Sequence, residues 1–196
     1  MEITFGNLSK GYIVFFFSSI LSMVMCVVAM PNPILTQDNN ESCYTLFGWK
    51  AQCSDKNLDV GVQDLTLCDP VKQRYEVAYA FVFIALLLNG MCIVGAWFSY
   101  WCEIPVLKSL AGWIGLIDFL FYLTCWALIA SIATEYLCDN NNMMDAGYIL
   151  SFGFGLVVAC SAAMLVGSIA ILAVPHEFPP SDDEVEEIGG KPGEAS

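Results

Sequence analysis

VAYAFVFIALLLNGMCIVGAWFSYW, residues 77–101, carries no charged side chain over 25 residues. As a helix rising 1.5 Å per residue it would reach about 37 Å, enough to cross a hydrocarbon core of roughly 30 Å. Three further runs share that apolar, membrane-length character: Tyr12 to Met30, Leu110 to Tyr136 and Gly147 to Val174. With 57% hydrophobic and 14% charged residues in a chain of 196, the composition lies well outside that of a soluble domain. The pattern predicts an all-α membrane protein, a four-transmembrane-helix bundle with a small β-containing, disulfide-braced extracellular loop domain. Its parts are an N-terminus over 1–11, spans over 12–30, 77–101, 110–136 and 147–174, a long loop over 31–76, short loops over 102–109 and 137–146, and a tail over 175–196. Lys10 and the small-residue stretch Val28-Ala29-Met30 give the first span the flanks of a signal peptide. Its apolar core of about nineteen residues exceeds the usual 7 to 15 of such a region, so it is read as an uncleaved first span.

Sidedness is read from cysteines better than from basic residues. Lys10, Lys108 and Lys191 fall on one side of a four-span chain, and Lys50, Lys56, Lys72 and Arg74 on the other, which breaks the usual positive-inside bias. Cys43, Cys53 and Cys68 in the long loop and Cys138 in the third loop share one aqueous side. An even set of aqueous cysteines suits disulfides, which persist only in an oxidising compartment, so that side is expected to be extracellular or lumenal. The sequon Asn40-Glu41-Ser42 makes Asn40 a glycosylation candidate on the same side, while Asn7-Leu8-Ser9 matches the pattern on the other. Both termini are therefore expected in the cytosol. Of the 20 acidic residues, seven lie in the Pro-containing tail after Pro175, where no hydrophobic periodicity accompanies them. That tail is expected to be disordered, and anionic lipid would repel it. No basic, aromatic-interleaved stretch suggests nucleic acid.

The long loop is too long for a plain connection and too apolar for a disordered one. Tyr44, Leu46, Phe47 and Trp49 cluster between Cys43 and Cys53, and the alternation over 58–62 and 65–67 predicts short half-exposed strands. A Cys43–Cys53 bridge would stabilise the loop by about 2 to 4 kcal/mol, although four cysteines allow three connectivities. Gly48 before Trp49 suits a sharp turn that returns the indole to the membrane surface.

The segment CYTLFGWKAQC, Cys43 to Cys53, resembles the signature of the amastins, four-span surface glycoproteins of kinetoplastid parasites. That signature runs Cys, apolar, Thr or Ser, two bulky apolar residues, Gly, any residue, a basic residue or Gln, any residue, a polar residue, Cys. Cys43, Tyr44, Thr45, Leu46, Phe47, Gly48, Lys50 and Cys53 match it, and Gln52 stands where the family has an acidic residue, Asn or Thr. The resemblance implies a plasma-membrane location, cytosolic termini, a folded outer loop and no catalytic residues. A looser likeness to claudin-like four-span proteins covers the layout alone, since their Gly-Leu-Trp precedes the first cysteine whereas Gly48-Trp49 here follows it.

Inside the spans, Asp118 lies roughly 12 Å from the start of the third run, near mid-bilayer. An ionised carboxylate there costs at least about 2.5 to 3.5 kcal/mol, so it should be neutral, paired or facing a polar cavity. Asn89 lies at comparable depth and is the expected partner, with Ser18, Ser19, Ser22 and Tyr122 as further hydrogen-bonding groups. A neutral polar clamp is the favoured role. Gly147, Ser151, Gly155, Ala159, Ala163 and Gly167 recur every four residues and are expected to form one packing stripe, used between spans of one chain or in a homo-oligomer. Cys26, Cys92, Cys125 and Cys160 read as small packing residues, and Cys102 as a packing residue, free thiol or palmitoylation site.

His176 is the single histidine and has no clustered ligands, so neither a metal nor a catalytic constellation is expected, and no cofactor is implied. The leading function is that of a non-enzymatic surface protein whose loop contacts proteins, lipids or a host membrane, while the bundle sits in membrane lipid. The rival is a proton or ion transporter, or a channel subunit, using Asp118. Lipid handling within the bundle has only the apolar interior behind it.

Overall fold

A computed structural model describes residues 10–37, 42–54, 57–65, 67–102, 105–135 and 142–173. Asn40 and Glu41 of the sequon, Asn7, Cys138, His176 and the acidic tail lie outside the described residues. Four helices, α1 (Lys10–Ala29), α2 (Asp69–Cys102), α3 (Pro105–Thr134) and α4 (Phe152–Ala173), are long and apolar enough to cross a membrane. Their outward faces carry large apolar side chains such as Phe17, Leu87, Trp113 and Val166, the inverse of a soluble bundle. Such a surface is stable only against hydrocarbon, where every backbone group must bond within its own helix. α1 packs against α4, α4 against α3 and α3 against α2, and the α1–α2 seam that closes the ring is thinner.

Two helices outrun the hydrocarbon. α2 has 34 residues and α3 has 30, about 51 and 45 Å of helix. α2 starts at Asp69 rather than Val77, because the polar residues 69–76 continue the apolar helix into water. Pro70 is tolerated in that first turn, whose N–H groups have no helical acceptors, and the N–H groups of Val71 and Lys72 both bond to the Cys68 carbonyl. α3 likewise opens on Pro105, ahead of its apolar run.

The connecting segments build one antiparallel sheet in the order β4-β3-β2-β1-β5. Its strands are β1 (Pro33–Gln37), β2 (Cys43–Thr45), β3 (Gly48–Lys50), β4 (Val60–Gly61) and β5 (Tyr148–Leu150). A bulge between Pro33 and Leu35 breaks the two-residue alternation of β1, so that the neighbours Ile34 and Leu35 are both fully buried. Two sequence expectations are corrected here. After Val60–Gly61 the chain turns into a short 3-10 helix, Val62–Asp64, and no strand includes Leu65 or Leu67. Residues 147–151 are not helix: Gly147 holds φ 83° at a turn, and 148–150 become the fifth strand, from the loop between the third and fourth spans. The apolar stretch read as helix because the 22 residues of α4 that follow it are equally apolar and already suffice to span.

The sheet grows directly from the end of α1 and leads directly into α4, so it caps those two helices. Gly153 at the start of α4 lies against the backbone of Asn32 and Pro33, and the Ser151 N–H donates to the Ile34 carbonyl. α2 and α3 rise beside it. Lys10 and Ala173 consequently lie at the end of the bundle away from the sheet.

Candidate functional site

The eight residues from Cys43 to Lys50 form a hairpin whose side chains are all buried or half-buried. Leu46 and Phe47 make the turn. The Thr45 hydroxyl accepts from the Phe47 N–H at 3.3 Å and donates to the Gly48 carbonyl at 3.2 Å, closing the turn from inside. Gly48 has φ 146°, and a Cβ there would collide with the Val60 carbonyl oxygen, because β3 and β4 meet at a Gly48–Gly61 pair. Trp49 is held in β3 between Tyr44 and Val60. The indole is thus a sheet residue, and the sharp turn precedes Gly48 instead of following it.

Aromatic contacts bolt this hairpin to the helices. Tyr44 packs against Tyr75 and Tyr148, and Phe47 against Tyr79, which stacks edge-on with Phe83. Tyr75, Tyr79 and Phe83 follow one another every four residues on α2, a spacing that marks one helix face in the sequence itself. The Tyr148 hydroxyl donates to Ser42, 3.0 Å away, while the Ser42 hydroxyl donates to the Gln37 side-chain carbonyl at 2.8 Å. Burial beside Tyr148 pushes the Tyr44 phenol up to about 12. Where α2 and α3 rise beside the sheet, Arg74 pairs with Glu135 and donates to the Ser131 hydroxyl at 2.8 Å.

Of the aqueous cysteines, Cys68 is disulfide-bonded. Cys43 and Cys53 are free thiols in this structure, and they neighbour one another. Burial, reinforced by the adjoining Cys53, raises the Cys43 thiol to about 12. The Lys50 side chain, opposite Cys43 across the β2–β3 pair, is buried like Cys43, while Cys53 is half-buried. Exposure begins just past the hairpin, at Ala51, Gln52, Ser54 and 57–59, and resumes on the opposite edge at 144–146 and Ile149. Among the described residues, no three His, Cys, Asp or Glu side chains converge as metal ligands.

The bundle interior holds a polar layer at the depth of Asn89 and Asp118, both fully buried. The expected pairing between them is not made. The Asn89 amide donates to the Ser19 carbonyl at 3.0 Å and accepts from the Ser22 hydroxyl and the Met23 N–H, each at 3.2 Å. An amide both donates and accepts, so it satisfies itself on α1 and ties the thin α1–α2 seam, as the Tyr12 hydroxyl does at the Ala96 carbonyl. Neither Asp118 oxygen has a hydrogen-bond partner among the described residues.

The four-residue stripe does not form one face. Gly147 and Ser151 precede α4, Gly155 faces open space, and Gly167 is buried against Ser18 and Phe15 of α1. Steps of four overshoot a 3.6-residue turn by about 40° each, so six such positions wrap roughly 200° around the axis. Gly153, Val157, Cys160, Ser161, Met164, Gly167, Ser168 and Ile171 make the buried face instead.

The family model for amastin surface glycoproteins matches residues 12–172, from the first span to the end of the last. Neither a curated protein nor a solved structure matches the chain.

Proposed function

The chain belongs to the amastin surface glycoprotein family, and from that membership we propose a non-enzymatic role in which the loop sheet contacts proteins, lipids or a host membrane. The reading places this multi-pass protein in the plasma membrane with both termini in the cytosol and the sheet outside. The observation that supports it is the division of labour in the loop: the signature residues are turned inward, while a rim of mixed chemistry stands exposed on both sides of them. Leu58 and Met144, apolar residues 39% and 42% exposed, flank that rim among Gln52, Asn57, Asp59 and Asp145. A paired Leu58→Ser, Met144→Ser variant in nanodiscs should lose several-fold in binding to cell monolayers or liposomes, with helicity and thermal stability unchanged. Unaltered binding to every surface that the wild type binds would sink the contact role.

The unpartnered Asp118 favours a second reading, transport of protons or cations. In proteoliposomes, a flux abolished by Asp118→Asn would put transport in place of adhesion.

A further inference from the structure

Asp118 is the one acidic side chain that the described residues bury completely. Cys26 of α1, Cys92 of α2 and Cys160 of α4 lie within electrostatic reach of it, and Tyr122 stands one turn along α3. No cation among the described side chains approaches it. Each polar neighbour is engaged elsewhere or orphaned itself. The Cys160 thiol donates to the Ser22 carbonyl at 3.3 Å, and the Cys92 thiol points to the Ala111 carbonyl at 4.0 Å. Asn89 is consumed by α1. Both Asp118 oxygens and the Ser168 hydroxyl remain without hydrogen bonds, and the Tyr122 hydroxyl has only the weakly bonding Cys26 thiol beside it, all in side chains with no exposed surface. Ser168 abuts Gly115, one turn before Asp118 on α3.

We propose that the centre of the bundle is a hydrated site, in which bound water bridges the Asp118 carboxyl to the Tyr122 hydroxyl and extends toward Ser168. Buried polar side chains left short of hydrogen bonds along about 10 Å of an apolar bundle, from the level of Gly115 to Tyr122, are what structural waters satisfy, with two to four hydrogen bonds each. A neutral carboxylic acid suits such water on both sides, donating through its O–H and accepting at its carbonyl. The thiols around it are weak donors and leave that role to water. The inference stands apart from the contact role of the sheet and survives its failure.

X-ray radiolytic hydroxyl-radical labelling of the intact protein in nanodiscs, in 18O-water, tests it, because radicals generated on bound water mark buried residues beside it. Tyr12 supplies the control: it is the same side chain, buried, with its hydroxyl bonded to the Ala96 carbonyl. Tyr122 should be labelled several-fold faster than Tyr12, although it is the less exposed of the two. In Asp118→Leu that excess should disappear. Equal labelling of the two tyrosines in the wild type would overturn the proposal, and so would a Tyr122 excess that persists in a folded Asp118→Leu protein. If the leucine variant does not fold, the wild-type comparison decides by itself.

Discussion

At the scale of single residues, Gly48 and Cys43 show why the signature is built as it is. Gly48→Ala would force an L-residue to φ 146° and drive a methyl into the Val60 carbonyl. The backbone strain by itself costs about 1–3 kcal/mol, so the variant should unfold at lower temperature and lose protease resistance across 43–61. Cys43 is a buried thiol raised to about 12 from an ordinary 9.0. Only the thiolate is nucleophilic, so in reduced protein the half-buried Cys53 should alkylate well before Cys43 at pH 8. The sign of the linkage follows: the folded state holds the Cys43 proton more tightly than the unfolded state. The associated stability is intact below pH 9 and is lost as pH rises from there toward 12, which a pH series of thermal unfolding would record. Under oxidising conditions the neighbouring thiols should close into the expected bridge, seen as a linked peptide in non-reducing mapping. The residue types of the motif were legible in the sequence. Their inward orientation was not, because the groups that cover them, Tyr75, Tyr79 and Tyr148, come from other parts of the chain.

At the scale of elements, α4 shows how a spacing can mislead. Gly155 and Gly167 belong to the same four-residue series, yet one faces open space and the other touches α1. Gly167→Leu should cost about 1–3 kcal/mol by overpacking, while Gly155→Leu should be close to neutral; parallel unfolding measurements in detergent separate the two. Four spans were readable because apolar length is a one-dimensional property. Helix ends were not, since α2 and α3 continue past the hydrocarbon wherever their polar turns keep helical hydrogen bonds. β5 was hidden for a related reason: Tyr148–Leu150 is apolar enough to pass for the start of a span, and only its pairing with Leu35, Thr36 and Gln37 makes it a strand.

At the scale of the whole molecule, sheet and bundle act as one body, because β1 and β5 continue into α1 and α4 while aromatic side chains tie β2 and the β2–β3 turn to α2. Phe47→Ala should therefore destabilise more than its hairpin, by on the order of 2 kcal/mol, less than for a fully buried ring since Phe47 is half-buried. Coincident loss of near-ultraviolet and helical circular dichroism signals on heating would verify the coupling, and a separate early transition of the sheet would contradict it. The sequence by itself determined the four spans, the family and the segment that carries its signature, because hydrophobic length and a short motif are properties of the chain read in order. Only the tertiary structure decided which strands meet, which glycines are pressed against neighbours, and that Asn89 bonds to α1 while Asp118 is left unpaired. Those outcomes depend on side chains dozens of residues apart competing for the same few donors and the same space, and no local pattern records who wins.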